Sequence, residues 1–359
     1  MDFSLTAEQR MMQDALIKTL ADFASLDRVR RYADGRSDGA DLWLAMADFG
    51  LAGMLVPETY GGLGLTLLDA ALAAEAFGRF VSPGPFIGAM LAPLALIADG
   101  TQDQKAKWLP RLASGNATAA IAIAEPIAGS RDGGGVCFFN GQLSGHAHFV
   151  LDGAGADLIV VADQSGGLHL VGGDAIGLTI QAMPGLDQTR RMATIQFENV
   201  IGETLSRGPH GLSRLRDAGW VLLAADTLGA CDVMVEKAVA YAKERKQFGR
   251  VIGSFQAVKH MCAEMAAEVE PSRSLVWYAA YAFDAVIEDS SLTAAHAKAH
   301  LSEIGRFVAR TATEVHGGMG ITDLLGLHYW FKRVGLNRQL FGGPERVRRW
   351  AAKFQGLVA

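Results

Sequence analysis

Apolar residues recur at spacings of three and four through most of the first 120 residues, a period that predicts helices. The stretch LTAEQRMMQDALIKTLADFA opens with Thr6 and Gln9 at the spacing of a capping box. DLWLAMADFGLAGM predicts a second helix, and the Pro/Gly-rich VPETYGGLG (56–64) breaks the chain. LLDAALAAEAFGRF predicts a third helix, apolar on all sides, and two more run through GAMLAPLALIADG and TQDQKAKWLPRLASG. A helix without a polar face belongs inside a bundle. Near residue 121 the pattern changes to short β-rich runs (GVCFFNG, HFVLDG, ADLIVVAD, GLHLVGG, LTIQAM, ATIQFENV) punctuated by Gly, Asp and Asn, the texture of a compact antiparallel β-domain ending near Val200. From about Gly211 the helical period returns. One helix of more than 30 residues leads to FG at 248–249, a second crosses a Pro, a third ends at HGGMG, and GPERVRRWAAKFQ makes a short last one. Long antiparallel helices of this kind form a four-helix bundle. The expectation is an α+β chain in three parts: an N-terminal helical domain over 1–120, a middle antiparallel β-domain over 121–205, and a C-terminal helical bundle over 206–359.

A chain of 359 residues is too long for one small core, which agrees with several structural units. Hydrophobic residues are 50% and charged residues 20%, enough for a large core in an ordinary soluble protein. The net charge of −5 is spread in both signs, and no basic block argues for nucleic acid. Cys137, Cys231 and Cys262 are far apart and form neither a disulfide framework nor a zinc motif, as in a reducing compartment. The N-terminus has no signal-type apolar core, and no apolar run reaches spanning length without Gly, Pro or charge interrupting it. A cytoplasmic location is the resulting expectation.

Candidate chemistry lies in a few short stretches. Arg245 and Gln247 sit two apart at a helix end closed by Phe248-Gly249. A guanidinium fork suits a pyrophosphate, Gln adds a neutral donor, and Phe248 offers an edge to a cofactor. The same residues also read as a solvated basic helix end with a Gly stop. Gly317, Gly318 and Gly320 let backbone approach a flat or anionic ligand, or simply cap a helix. His260, His316 and His328 are not at ligand spacing and carry no assigned chemistry, and no metal is expected.

Four segments in this order, YAKERKQFGRVIGSFQAVKH (241–260), TEVHGGMGIT (313–322), AEPIAGS (124–130) and VPETYGGLGL (56–65), resemble those of the acyl-CoA dehydrogenase family, along essentially the whole chain. The resemblance implies oxidation of an acyl-CoA thioester to its trans-2-enoyl form: a carboxylate removes the α-proton while the β-hydrogen leaves as hydride to FAD. It implies an electron-transfer flavoprotein as acceptor. It also implies that Arg245, Gln247, Phe248, Ile252 and Gln256, with Glu314, Gly317 and Gly318 of the turn, contact FAD across a subunit interface. Glu314 stands where the family usually has Gln.

The departures are concentrated elsewhere. The usual base falls at Gly342, and its alternative helix position at Gly219 beside Trp220. Ala124 replaces a flavin-bonding Thr, Phe149-Val150-Leu151 replaces W-I-T, and Arg131 replaces an Asp. Such a chain resembles the shorter, base-less subunit of α2β2 acyl-CoA dehydrogenases, several of which serve steroid side-chain or dicarboxylic acyl-CoA degradation in bacteria. A second subunit would then carry the Glu and the flavin-ring pocket, with one FAD for each pair. Two other readings stand beside it. One is a self-sufficient homotetramer using Glu345 or Asp217 as base, although Glu345 also reads as a helix N-terminal acid. The other is a flavin-free scaffold on the same fold.

Overall fold

The structure is a computed structural model and describes residues 4–37, 39–206 and 208–358. Its first helix begins where the capping box puts it: the Thr6 hydroxyl accepts from the Gln9 amide, and the Gln9 side-chain oxygen accepts from the Thr6 amide, both at 3.1 Å. Helices α1 (Ala7–Phe23), α2 (Leu26–Ala33), α3 (Ala40–Asp48), α4 (Leu67–Arg79), α5 (Phe86–Asp99) and α6 (Gln102–Ala113) make the N-terminal part. Helices α4 and α5 are enclosed on nearly all sides, α4 burying the acids Asp69 and Glu75 among its apolar residues.

The middle part comprises β1 (Ala119–Ala122), a short helix α7 (Ala124–Ala128), β2 (Gly135–Phe139), β3 (Gln142–Leu151), β4 (Leu158–Ala162), β5 (Leu168–Gly172), β6 (Leu178–Met183), β7 (Met192–Ile201) and β8 (Glu203–Ser206). They form one sheet in the order β6-β7-β3-β1-β4-β5-β8, with β2 paired to β3. Pairing is antiparallel except for β1 with β4, which run parallel. Val136, Leu143, Ile159 and Phe197 pack into a core of the sheet's own, while Ile121, Leu158 and Val160 join the core shared with the helices.

The last part holds α8 (Pro209–Glu244), a two-strand ribbon β9 (Lys246–Gln247) and β10 (Arg250–Val251), α9 (Gln256–Ala285), α10 (Ile287–His316), the single turn α11 (Gly318–Ile321), α12 (Leu327–Gln339) and α13 (Pro344–Phe354). Helix α9 carries Pro271 in its interior without ending there. Helix α12 is an element that the sequence pattern did not single out, and it packs on α8 and α10 as part of the bundle. Helix α8 has the length and apolarity to cross a membrane, but 83% of that stretch is buried in the protein. It lies backbone to backbone on α4. A Cβ on Gly229 would come 1.8 Å from the Glu75 carbonyl oxygen, and one on Gly78 would come 1.9 Å from that of Asp226, so only glycine fits either position.

Behind α12 lies a polar cluster joining all three parts. Asp226 of α8 meets Arg333 at 2.7 Å and Arg190 at 3.0 Å, and Arg333 also donates to the carbonyl of Ser82 and the hydroxyl of Thr189. Each of these charges is paired, as burial demands. Lys298 of α10 is buried there too and donates to the Asn337 carbonyl of α12. With burial and the nearby Arg190 and Arg338 against its charged form, its pKa falls to about 7.

Candidate functional site

Two concave regions contain about half of the residues singled out above. The larger is a cleft of about 720 Å³ between the α7 turn, the β6–β7 loop and the α12–α13 corner. The α7 turn is tied to the sheet by Glu125, which accepts from the His148 amide at 2.6 Å. Two aromatic residues on its wall, Phe149 (φ 57°) and Phe341 (φ 55°), have left-handed backbones. Such conformations cost roughly 1 kcal/mol or more in a non-glycine residue, and they persist where surrounding contacts enforce them. For Phe341 the contact is visible: the Trp220 indole donates to its carbonyl at 2.8 Å.

That bond brings the two candidate base positions, 123 residues apart in the chain, into one corner. Gly342 lines the cleft at φ 103°; a Cβ there would meet nothing closer than Arg346 Cδ at 3.7 Å. Gly219 is different, because a Cβ on it would sit 2.9 Å from two ring carbons of Phe341. The loop position is open in space but shaped for glycine, while the helix position is filled by a neighbour.

Three acids line the cleft, and each is engaged. Glu125 holds the turn as described. Asp187 caps Thr189 through one oxygen, accepting from its amide at 2.9 Å and its hydroxyl at 2.7 Å; the other oxygen has no protein donor. Glu345 is exposed in the first turn of α13 and accepts from Arg338 at 2.8 Å. The helix's own N-terminal amide, then Arg338, hold its pKa below the usual carboxylate range. Asp217 is absent from the cleft wall. It is buried against α10, paired with Arg216 at 2.7 Å and hydrogen-bonded to Ser291, and burial raises its pKa.

The second region, about 410 Å³, lies at one end of the bundle. Tyr241, Arg245, Gln247 and Ile252 from the α8 end and ribbon meet Glu314, Gly317 and Gly318 from the α10 end. Of the residues expected to contact FAD, Arg245, Gln247, Ile252, Glu314, Gly317 and Gly318 come together here. Phe248 and Gln256 do not line this pocket: Phe248, at the ribbon turn with φ 52°, is 91% exposed and packs edge-on to Phe255, and Gln256 faces His260 on α9. His316 also lines this pocket, donating to the Ala312 carbonyl at 2.7 Å and stacking on Tyr241.

The residues present fit different parts of a dinucleotide unequally. At the bundle end Gly317 and Gly318 leave open space, with nothing within 4 Å of where a Cβ would be. Among the described residues the exposed Arg245 has no ion-pair partner. An open backbone beside a free guanidinium suits a flat or anionic group. At the cleft Ala124 offers only a methyl, and Val150 and Leu151 are buried away from it, so none of the three side chains can hydrogen-bond a ring. Among the described residues no cluster of His, Cys, Asp or Glu could hold a metal ion. Sequence reasoning passed over Asp187, Trp220's bond to Phe341 and Arg346. The only advance signal was the basic run RVRRW after the Gly-Gly-Pro.

A helical N-terminal block, a middle sheet and a long-helix bundle thus lie around an interdomain cleft. Sequence models for the N-terminal and C-terminal domains of acyl-CoA dehydrogenases match residues 6–116 and 217–354. Acyl-CoA dehydrogenase IpdE2 of Mycolicibacterium smegmatis is 32% identical over 352 residues, covering 97% of this chain and 99% of that protein. Among solved structures, a variant of the Tcur3481–Tcur3483 steroid ACAD superposes with a TM-score of 0.87 at 28% identity, covering 98% of both chains. A structure of the electron transferring flavoprotein of Acidaminococcus fermentans gives 0.89 at 26% identity over 99% of both. The chain belongs to the acyl-CoA dehydrogenase family. It is an FAD-family oxidoreductase of the CH–CH class.

Proposed function

We propose that this chain is one half of a heteromeric acyl-CoA dehydrogenase, working in the cytoplasm: it completes the FAD site of a second, base-carrying subunit through its bundle end. The observation that carries the reading is the cleft corner. Gly342 has no side chain, Phe341 fills the space beside Gly219, Glu125 is spent on the His148 amide, Asp187 holds Thr189 through one oxygen, and Glu345 is held in the exposed, low-pKa state of a weak base. Abstraction of an α-proton beside a thioester needs a close, partly desolvated carboxylate, which this corner does not supply. The bundle end keeps Arg245, Gln247, Ile252 and the open Gly317–Gly318 turn, the features a pyrophosphate or flat ring would need. When bound, FAD supplies the hydride acceptor; the role of Arg245 and Gln247 is to hold it from across the interface. The names of two neighbours support the wider setting: a steroid ACAD built from two named components, and an electron transferring flavoprotein. A steroid-derived or dicarboxylic acyl-CoA as substrate and an electron-transferring flavoprotein as acceptor belong to the same reading and rest on the family resemblance.

Purification decides the matter. The chain alone is expected to be colourless and inactive, and co-expression with a family member that keeps the Glu and the T-E-P segment is expected to give a yellow, active complex. A yellow, active lone chain that lost activity in Glu345→Gln would favour the self-sufficient homotetramer instead. Absence of FAD in every pairing would favour the scaffold.

A further inference from the structure

Helix α13 packs on α10, buries Val347 and Ala351, and turns most of its other side chains outward. It holds four cations, Arg346, Arg348, Arg349 and Lys353, against the single acid Glu345, in a chain whose net charge is −5. Arg348 approaches Glu303 of α10 at 3.7 Å, but that carboxylate already serves Arg306 at 3.0 Å and Arg338 at 3.1 Å. Arg338 also takes up Glu345 at 2.8 Å. Among the described residues Arg346, Arg349 and Lys353 have no ion-pair partner, and all three are exposed. This face therefore carries an excess of positive charge that the protein itself does not answer.

Apolar side chains accompany the charge. Half-buried Trp350 stacks on Phe354 with ring centroids 5.2 Å apart, and the guanidinium of Arg216 lies over the Trp350 ring at 4.2 Å. Beyond Phe354 the helix closes in a Schellman turn. The Leu357 amide donates to the Ala352 carbonyl at 2.8 Å and the Gly356 amide to the Lys353 carbonyl at 2.9 Å, with Gly356 at φ 69°. In such a turn the residue at Leu357 frequently folds back onto the helix. Here Leu357 is 71% exposed and Phe354 54%. The backbone of this tip is fixed by hydrogen bonds, yet its apolar side chains stand in water next to Lys353 and one turn beyond Arg349.

A free anion answers the cations alone, and an apolar segment answers the tip alone. The interface of an anionic bilayer answers both: headgroup phosphates pair with Lys and Arg, while Trp, Phe and Leu enter the boundary of the acyl chains. We propose that the outer face of α13 and its closing turn form a peripheral contact with an anionic lipid surface. A contact this shallow is reversible and needs no spanning helix. It depends neither on the missing base nor on FAD.

Co-sedimentation of the purified full chain with vesicles tests this. Binding is expected to vesicles of mixed phosphatidylglycerol and phosphatidylcholine, and is expected to fall away on phosphatidylcholine alone and at high salt. Arg349→Glu and Lys353→Glu should each weaken it by roughly fivefold or more. Phe354→Ser combined with Leu357→Ser should weaken it by roughly tenfold at unchanged charge. All four positions are exposed, so the thermal midpoints should stay at the wild-type value. No binding to the anionic vesicles, equal binding to the neutral ones, or binding indifferent to the Phe354 and Leu357 substitutions would overturn the proposal. Binding by the lone chain that disappears in the co-expressed complex would also overturn it, by assigning the face to a contact between subunits.

Discussion

The bundle end and the interdomain cleft have diverged in opposite directions. At the bundle end the glycines are open, the guanidinium is free and six of the residues expected to contact FAD meet in one pocket. In the cleft the volume survives, but the position that should carry a carboxylate is a left-handed glycine, and its alternative is occupied by a phenyl ring. Uniform loss of constraint would erode both. On the proposed reading, the bundle end serves a ligand seated in another subunit, while the cleft does no chemistry of its own.

The largest expected effect comes from Gly219→Glu. The new side chain would meet Phe341 at once and bury a carboxylate near Leu91, so roughly 3 kcal/mol or more of stability should be lost. A large drop in the urea midpoint checks it, and a wild-type midpoint would mean that the helix position is open and the comparison mistaken. Next comes Arg245→Ala, measured as FAD affinity of the co-expressed complex. Removing a charge-assisted phosphate contact costs about 1.5–3 kcal/mol, or on the order of 10- to 100-fold. Unchanged flavin affinity would show that the bundle end serves no cofactor.

Gly342→Glu should cost less, about 1–2 kcal/mol, because φ of 103° is unfavourable for any residue with a Cβ while the space beyond is open. It should also fail to confer dehydrogenase activity on the lone chain, which still lacks ring contacts. Appearance of enoyl product would mean that only the side chain, and not the flavin site, had been lost. The last test concerns the wall behind the cleft and is read in pH. The pKa of Lys298 falls from an ordinary 10.5 to about 7 on burial. The native state therefore binds fewer protons than the unfolded state between those values, and stability rises as pH increases from about 7 toward about 10.5. Lys298→Met should flatten that rise in thermal midpoint. A pH dependence equal to wild type would show that Lys298 is not the group responsible.

Much of this was legible in the sequence. The capping box at Thr6, the enclosed helices α4 and α5, the β-rich middle and the returning long helices all follow from period and punctuation, since each is a local signal. Helix α12 was not legible: YWFKRVGLNRQ has its polar residues Arg333 and Asn337 facing inward to Asp226, so the pattern does not read as amphipathic. The parallel pairing of β1 with β4 was hidden because strand direction depends on the path of the chain between strands. For the site, the motifs brought out Arg245, Gln247 and the glycine turn. They could not bring out the bond from Trp220 to Phe341 or the contact of Arg346 with Gly129, because those join segments more than 100 residues apart. Phe248 is a separate case: a left-handed turn points it into solvent, open to contact from outside this chain.

The most direct test is flavin stoichiometry in the complex purified after co-expression with a Glu-bearing partner. The account predicts one FAD for every pair of unlike chains, with all of it lost from the fraction containing this chain alone. One FAD per chain, or full flavin occupancy of this chain without a partner, would contradict it.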